Sequence, residues 1–135
     1  VFMSDLIRQI SIPAYIDYMV VSSYGNSSET SGVVRILKDL EDNIEGKNII
    51  IVEDIIDTGL TLDYLKQNLL SRKPKSLKIC TLLDKPARRV KEITIDYKGY
   101  EVPDEFIIGY GIDYAEKYRN LPFIGTLKRE VYEKN

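Results

Sequence analysis

The centre of the chain constrains the fold more than any other part. Ile49 to Val52 is a continuous β-branched run, a pattern typical of a parallel strand that is buried on both faces. A polar loop follows, and Leu62, Leu65 and Leu69 then mark one face of an amphipathic helix. The apolar run from Leu77 to Leu83 predicts a second buried strand. This strand–helix–strand unit predicts an α/β fold with a mainly parallel central sheet flanked by helices.

The N-terminal part of the chain predicts a helix and then a hairpin. Apolar residues recur every four positions from Phe2 to Ile10 and predict a helix that ends before Pro13. Residues 16–23 and 33–40 show alternation and predict two strands, with a polar tip over 25–32 between them. Two further short strands are predicted over 95–102 and 106–109.

Length and charge exclude several classes of partner. The 135 residues are the size of one domain, so we expect a single domain over 1–135. The 19 basic and 21 acidic side chains give a net charge of −2, which gives no reason to expect a nucleic acid or a membrane as partner. No apolar run approaches about 18 residues, and no basic stretch precedes an apolar run at the N-terminus. We therefore expect no transmembrane span and no signal peptide.

The residues that are rare or absent narrow the chemistry. Histidine is absent, and Cys80 is the only cysteine. Serine–histidine and cysteine–histidine catalysis, zinc bound by histidine or thiolates, and an internal disulfide are therefore excluded. Carboxylates must carry any acid–base chemistry and any metal binding, and a carboxylate-only site suits Mg²⁺ or Mn²⁺. A lone cysteine fits a reducing compartment, and we expect the chain to be cytoplasmic.

The loop after the first buried strand carries the densest chemistry. Glu53 and Asp54 are adjacent acids at the end of that strand, and Asp57 follows three residues later. Gly59 permits a tight turn or the close approach of a ligand. Two threonine hydroxyls lie beside the free N–H groups at the start of the helix, which is a ready site for an anion. One end of the loop therefore suits phosphate, and the other suits hydroxyls or a cation.

Three interpretations of this loop are open. It is a capped helix with solvated acids, or its Asp-Thr-Gly string is that of retroviral-type aspartic proteases, or it is a phosphoribosyltransferase signature. The protease motif belongs to an all-β fold and is neither preceded by a Glu-Asp pair nor followed by a leucine-spaced helix. The phosphoribosyltransferase signature matches the whole string, which is an apolar run followed by two acids, two apolar residues, Asp-Thr-Gly and a hydroxyl.

Segments outside the loop narrow the resemblance. These segments are Ser22 to Gly25, Gly32 to Arg35, Leu82 to Pro86, Gly99 to Tyr114 and Tyr118 to Pro122. With them, the chain over essentially its whole length resembles the bacterial hypoxanthine-guanine phosphoribosyltransferases, which belong to the type I phosphoribosyltransferase family. The resemblance implies the type I fold, in which a flexible hairpin loop lies over the active site.

The resemblance implies roles for the phosphoribosyl half of the site. Asp57 would be the catalytic residue and would handle the purine proton near N7 as a general base. The residues that would bind the ribose and its 5-phosphate are Glu53, Asp54, Ile56, Asp57, Thr58, Gly59, Leu60 and Thr61. Mg²⁺ would be the cofactor, held by Glu53, Asp54 and Asp113, and Arg119 would contact pyrophosphate.

The resemblance also implies roles for the purine half. Lys85 would donate to the oxygen at purine position 6, which selects against adenine. Phe106 would stack on the ring, and the backbone around Ile107 and the side chain of Asp113 would complete the purine site. On pattern alone, a lysine such as Lys85 usually lies on the surface, and the alternative for Phe106 is an ordinary core aromatic. The lid that excludes water would include Ser23 and Tyr24.

The implied reaction belongs to purine salvage. Phosphoribosyl pyrophosphate would transfer its 5-phosphoribosyl group to N9 of hypoxanthine or guanine, giving IMP or GMP and pyrophosphate. The alternative is a regulator of the same fold that binds nucleotides without catalysis, and such regulators often lose a catalytic residue that is present here as Asp57. The family also implies a homodimer or homotetramer.

The resemblance does not start at the beginning of the family's sequences. These enzymes carry roughly 40 further N-terminal residues, room for a strand of ordinary length and its connections. That part supplies a central strand of the sheet and a Leu-Lys-Gly loop that contacts pyrophosphate. Because Val1 falls in the helix that should follow this loop, we expect the N-terminal part of the family fold to be missing from residues 1–135.

Overall fold

Three parallel strands form the centre of the protein, which is described by a computed structural model over residues 1–23 and 34–133. The elements in chain order are α1 (Phe2–Ile7), β1 (Val20–Ser23), β2 (Val34–Lys38), β3 (Asn48–Ile56), α2 (Leu60–Leu70), β4 (Ser76–Asp84), a 3₁₀ turn (Pro86–Arg88), β5 (Tyr97–Glu101), β6 (Ile107–Ile108), β7 (Gly125–Thr126) and α3 (Arg129–Tyr132).

The carboxyl ends of the central strands lie at one edge of the sheet. The strand order is β3-β4-β5, and both pairs are parallel. Ile56 at the end of β3 lies opposite Asp84 at the end of β4, and Asp84 lies opposite Glu101 at the end of β5. The predicted α/β class and its parallel sheet are therefore confirmed. Ligands of open parallel sheets bind at this edge.

The main hydrophobic core lies between the sheet and α2. The three leucines that predicted the helix have exposed fractions of only 3% to 6% and form one cluster with Ile51, Ile56 and Ile79 of the sheet. Burial of one leucine side chain contributes about 2 kcal/mol to the free energy of folding. Because β3 ends and α2 begins in this core, the loop between them is anchored at both ends.

The prediction that β3 is buried on both faces is wrong for part of the strand. Ile51 is 8% exposed, whereas its neighbour Ile50 is 51% exposed. β3 is an edge strand of the described sheet. The helix α1 contacts β3, but it has six residues and none of them is buried, so it covers little of the strand.

The N-terminal hairpin is confirmed, with a shorter first strand than predicted. β1 and β2 are antiparallel, with Ser22 opposite Arg35. β1 begins at Val20 rather than at residue 16 because side-chain contacts replace ladder bonds before it. The Asp17 carboxylate accepts the main-chain N–H of Glu41 at 2.9 Å. The predicted tip over 25–32 lies outside the described residues.

The helices are short. The first helix ends at Ile7, earlier than the predicted end before Pro13. The N–H groups of Gln9 and Ile10 donate to carbonyls three residues back, so turns replace the helix there. Ile10 is consequently 38% exposed. None of the helices in the described ranges is long and apolar enough to cross a membrane.

A tight turn from Tyr114 to Lys117 lies between Asp113 and Arg119. Tyr114 and Lys117 exchange main-chain hydrogen bonds of 3.0 and 2.9 Å. The two residues between them, Ala115 and Glu116, have φ angles of 49° and 65°. The Asp113 carboxylate accepts the N–H of Glu116 at 2.9 Å, so its side chain is fixed against the turn.

Candidate active site

The predicted loop and the predicted purine-binding lysine lie on neighbouring strands at the same edge of the sheet. Asp57 follows β3, and Lys85 follows β4. The main-chain N–H of Lys85 donates to the carbonyl oxygen of Ile56 at 2.9 Å. Glu53 and Asp54 were expected to end the strand, but they lie within it because the ladder to β4 continues as far as Ile56.

The turn from Asp57 into α2 requires glycine at its centre. Gly59 has a φ of 82° and is the residue before the helix, so it offers no side chain to cap the first helical turn. A Cβ atom at this position would lie 2.6 Å from the carbonyl oxygen of Lys91. The Thr58 hydroxyl accepts the N–H of Leu60 at 3.4 Å. Half-buried Leu60 and Thr61 begin α2, whose start suits an anion.

Glu53 carries a strongly perturbed carboxyl group. Burial is the larger cause and the neighbouring Asp54 carboxylate the smaller, and together they raise the pKa of Glu53 from 4.5 to about 7. The Asp54 side chain is exposed, and it accepts the N–H of Ile55 at 2.7 Å. A cation or a hydroxyl donor bound between the two acids would relieve their repulsion.

The side chain of Asp57 presents an acceptor that lacks a donor. Its Oδ1 atom is buried and receives no hydrogen bond from the residues that the structure describes. Arg88 Nε lies 3.4 Å from this atom, an ion-pair distance without hydrogen-bond alignment, and Arg88 Nη1 lies 3.9 Å from Asp104 Oδ1. Because an unpaired buried acceptor is costly, this oxygen suits a proton or an N–H group from a ligand.

Lys85 and Phe106 form a second part of the site. Lys85 is buried, and its Nζ donates to the carbonyl oxygen of Glu105 at 2.8 Å. The Phe106 ring stands edge-on to Tyr114, with 5.1 Å between centroids, and is tilted against Tyr132 at 5.3 Å. Its exposed fraction of 38% leaves ring surface available for a planar ligand.

Two predicted contact residues have only their main chain available. Ile56 and Ile107 are 2% and 5% exposed, so their side chains belong to the protein interior. The carbonyl of Ile56 already accepts the N–H of Lys85. Ile107 lies in β6, opposite Thr126 of β7.

Arg119 lies beside Asp113 and Glu116. Arg119 Nη2 lies 3.4 Å from Asp113 Oδ1 and 3.1 Å from Glu116 Oε2, and its Nη1 donates to the carbonyl of Gly111 at 2.9 Å. The hydrogen bond to Glu116 first, and then the charges of Asp113, Glu116 and Asp54, raise the pKa of the Arg119 guanidinium. Asp54 and Asp113 therefore lie within electrostatic reach of one cation.

The acidic residues fit a metal ion that is shared with a ligand. Over residues 1–23 and 34–133, no three acidic side chains form a ready-made metal site. Mg²⁺ is usually held by one or two carboxylates and completes its shell with waters and substrate phosphates. Glu53, Asp54 and Asp113 supply oxygen donors only, and the raised pKa of Glu53 marks a carboxyl group that a cation would help to ionise.

The predicted lid lies mostly beyond the described part of the chain. Ser23 ends β1 opposite Val34. Tyr24 lies outside the described residues. The lid therefore stays a prediction.

Two residues beside this loop, Arg89 and Asp84, received no role from the sequence, although Asp84 was expected at the edge of the sheet where ligands bind. The Arg89 guanidinium forms a hydrogen-bonded ion pair with the Asp84 carboxylate, and its Nε donates to the carbonyl oxygen of Asp57 at 3.1 Å. The available signal was a polar, basic segment immediately after the second buried strand, at the edge where ligands bind.

Known proteins resemble this chain over nearly its whole length. The family model of the phosphoribosyl transferase domain matches residues 1–115. The hypoxanthine-guanine phosphoribosyltransferase of Bacillus subtilis is 58% identical over 132 residues, which are 98% of this chain and 73% of that protein.

Solved structures agree as well. A hypoxanthine phosphoribosyltransferase from Staphylococcus aureus superposes with a TM-score of 0.95 at 55% identity, covering 98% of this chain and 72% of that one. A hypoxanthine-guanine phosphoribosyltransferase from Bacillus anthracis, with a HEPES molecule in its active site, gives 0.90 at 59% identity and covers 94% and 75%. The fold and the sheet-edge loop thus define a type I phosphoribosyltransferase. Within that class, the chain belongs to the hypoxanthine-guanine phosphoribosyltransferase family.

Proposed function

We propose that this protein transfers the 5-phosphoribosyl group of phosphoribosyl pyrophosphate to N9 of hypoxanthine or guanine, a purine salvage reaction that yields IMP or GMP and pyrophosphate. The observation that carries the proposal is the hydrogen bond of 2.9 Å from the N–H of Lys85 to the carbonyl of Ile56. This bond holds the main chain of Lys85 against the residue before Asp57, which supports a single ligand that contacts both residues.

The phosphoribosyl half of the ligand lies along the loop. Main-chain N–H groups from Thr58 to Leu60, with the Thr58 and Thr61 hydroxyls, bind the 5-phosphate at the start of α2. Glu53 and Asp54 bind the ribose hydroxyls. A glycine-centred turn supports this role because it lets phosphate oxygens approach the main chain.

The purine half lies against β4 and β6. Lys85 donates to the oxygen at position 6, which hypoxanthine and guanine carry and adenine lacks. Phe106 stacks on the ring, and the main chain around Ile107 contacts its edge. Asp113 lies where the purine and pyrophosphate sites meet. The burial of Lys85 supports its role, because an ammonium group held in place discriminates better than one on a flexible surface chain.

The chemistry follows from where charge develops. As the bond from ribose C1 to pyrophosphate breaks, the ribose gains oxocarbenium character and the leaving group gains negative charge. Arg119 stabilises the leaving pyrophosphate. Asp57 accepts the purine proton near N7, and this role is supported by its buried Oδ1 atom, which receives no hydrogen bond from the described residues. Glu53, Asp54 and Asp113 would hold Mg²⁺, which when bound supplies positive charge next to the pyrophosphate.

The remaining features belong to the same proposal. A lid that includes Ser23 and Tyr24 excludes water from the oxocarbenium-like ribose. The protein acts in the cytoplasm as a homodimer or homotetramer, without a nucleic acid or membrane partner. Residues 1–135 form one phosphoribosyltransferase domain, which spans 73% of the length of the Bacillus subtilis relative.

The experiment that tests the proposal separates catalysis from nucleotide binding. The protein is incubated with hypoxanthine, phosphoribosyl pyrophosphate and MgCl₂, and IMP is quantified by chromatography, while IMP binding is measured by titration calorimetry. We expect IMP and pyrophosphate in equal amounts, abolished by EDTA and restored by excess MgCl₂. Binding of IMP without any turnover would instead establish a nucleotide-binding regulator.

A further inference from the structure

Arg89 connects the loop after β3 to the end of β4. Its Nε donates to the carbonyl oxygen of Asp57 at 3.1 Å. Its Nη2 forms a hydrogen bond and ion pair with Asp84 Oδ1. One side chain therefore contacts the first residue of the loop and the last residue of the neighbouring strand, directly before Lys85.

The residues that follow Arg89 hold the other side of the same loop. The N–H groups of Val90 and Lys91 both donate to the carbonyl oxygen of Thr58, at 2.9 and 3.0 Å. At Gly59, an added Cβ would meet Arg89 Cδ at 3.1 Å in addition to the carbonyl of Lys91. The segment 89–91 thus packs on the loop along its whole length.

The ion pair between Arg89 and Asp84 is buried. The side chains of Arg89 and Asp84 are 10% and 6% exposed, and a half-exposed lysine, Lys98, lies 3.6 Å from the second Asp84 oxygen. Removal of one partner from a buried pair leaves the other charge uncompensated. The planar guanidinium donates to two acceptors at fixed angles, which the single ammonium of a lysine cannot reproduce.

We propose that Arg89 is a positioning residue that sets the place of the 5-phosphate loop, Asp57 to Gly59, relative to β4. This inference rests on the proposed function, in which that loop binds the phosphate and carries the general base. Arg89 itself touches no reacting atom. It acts through the carbonyl of Asp57 on one side and through the carboxylate of Asp84 on the other.

A structural ion pair elsewhere in the protein offers a matched control. Arg72 Nη1 lies 2.8 Å from Asp39 Oδ1, at the other end of α2, and the Arg72 side chain is 27% exposed. Arg72→Met removes the same chemical group as Arg89→Met from a hydrogen-bonded pair that does not contact the loop. Arg89→Lys keeps the charge beside Asp84 but loses the two-acceptor geometry.

The test compares two ligands that differ only in the 5-phosphate. Affinities for IMP and inosine are measured by titration calorimetry on the wild-type protein and on Arg89→Met, Arg89→Lys and Arg72→Met, each well below its own Tm. We expect the ratio of IMP to inosine affinity to fall at least tenfold in both Arg89 variants. We expect it to stay within twofold of wild type in Arg72→Met.

Steady-state kinetics supply a second readout. Because a shift of about 1 Å in a reacting group costs up to roughly 100-fold in rate, kcat should fall in both Arg89 variants. The KM for phosphoribosyl pyrophosphate should rise at least fivefold, while the KM for hypoxanthine stays within twofold.

Arg89→Lys separates positioning from stability. Its retained charge should restore most of the Tm lost in Arg89→Met without restoring the nucleotide preference. The inference would be overturned if Arg89→Lys restored the Tm and the preference for IMP together. It would also be overturned if the Arg89 variants kept the wild-type preference for IMP. Either result would leave the proposed function intact. A wild-type protein that binds IMP no better than inosine would overturn the proposed function and this inference with it.

Discussion

The main-chain N–H of Lys85 donates a hydrogen bond to the carbonyl oxygen of Ile56 at 2.9 Å. Ile56 directly precedes Asp57, and Lys85 is the residue that we propose selects the purine. This hydrogen bond connects the proposed phosphoribosyl and purine halves of the site. We therefore expect variants of Asp57 to lose catalysis and variants of Lys85 to lose purine selectivity in the same reaction.

Asp57→Asn should separate catalysis from binding. The amide keeps the shape of the carboxylate but cannot take a proton, so we expect kcat to fall by about 100-fold to 10,000-fold. The affinity for IMP should change less than threefold in titration calorimetry. Asp63→Asn, one turn into α2, is the matched control and should keep wild-type kcat. Near-normal turnover of Asp57→Asn would remove Asp57 from the role of base.

Lys85→Met should weaken selection for 6-oxopurines. Loss of one charged hydrogen bond, worth about 1.5–3 kcal/mol, predicts a fall of about 10-fold to 150-fold in kcat/KM for hypoxanthine. Any slow reaction with adenine should not fall, because adenine offers no oxygen at position 6. Competition assays with both bases measure the ratio directly. Lys75→Met, at an exposed position immediately before β4, should leave the ratio of kcat/KM for hypoxanthine to that for adenine unchanged. An equal fall in kcat/KM for hypoxanthine and adenine would contradict the role of Lys85 in selecting 6-oxopurines.

Glu53→Gln should stabilise the ligand-free protein at alkaline pH. The folded state raises the pKa of Glu53 from 4.5 to about 7, so between these values the folded protein retains a proton that the unfolded chain has lost. Stability therefore falls as pH rises through this window, and above pH 7 the ionised group costs on the order of 3 kcal/mol.

The substitution removes that cost, because glutamine does not ionise. Urea unfolding without Mg²⁺ should show Glu53→Gln more stable than wild type at pH 8.5, with a difference that shrinks steadily towards pH 5. Glu92→Gln, at an exposed position, should show no such trend. A pH-independent difference would mean that packing, and not ionisation, distinguishes the two proteins.

A substitution in the turn at Ala115 and Glu116 should increase the stability of the protein. Both residues lie in the left-handed region, which costs an ordinary side chain about 1–2 kcal/mol and which asparagine and glycine tolerate best. Ala115→Asn should raise the free energy of unfolding by about 0.5–1 kcal/mol in urea titration. Ala14→Asn, in the irregular segment before β1, is the control. Destabilisation by Ala115→Asn would show that packing around the turn outweighs its backbone conformation.

The sequence predicted the parts of the fold that depend on local pattern. Leu62, Leu65 and Leu69 recur at helical spacing and are buried as expected, since periodicity directly encodes which face meets the core. Burial of β3 depended instead on what covers it, which no local pattern contains, and Ile50 is half-exposed. The left-handed turn escaped notice because Ala115 and Glu116 are not turn-forming residues.

The candidate site was predictable where its residues lie in one short motif. Glu53 to Thr61 could be recognised because strand, acids, glycine and helix follow each other in sequence. The contact of Arg89 with the carbonyl of Asp57 joins residues 32 positions apart and involves a main-chain acceptor, which sequence cannot reveal. The short link from Ile56 to Lys85 became visible only once β3 and β4 were paired in register.

The measurement that tests the central claim most directly is a base panel. The protein is given phosphoribosyl pyrophosphate and MgCl₂ with hypoxanthine, guanine, xanthine, adenine or uracil separately, and nucleotide products are identified by mass spectrometry. We predict IMP from hypoxanthine and GMP from guanine, with adenine and uracil giving product at a far lower rate or not at all. Formation of AMP or UMP at a comparable rate, or nucleotide binding with no product from any base, would contradict it.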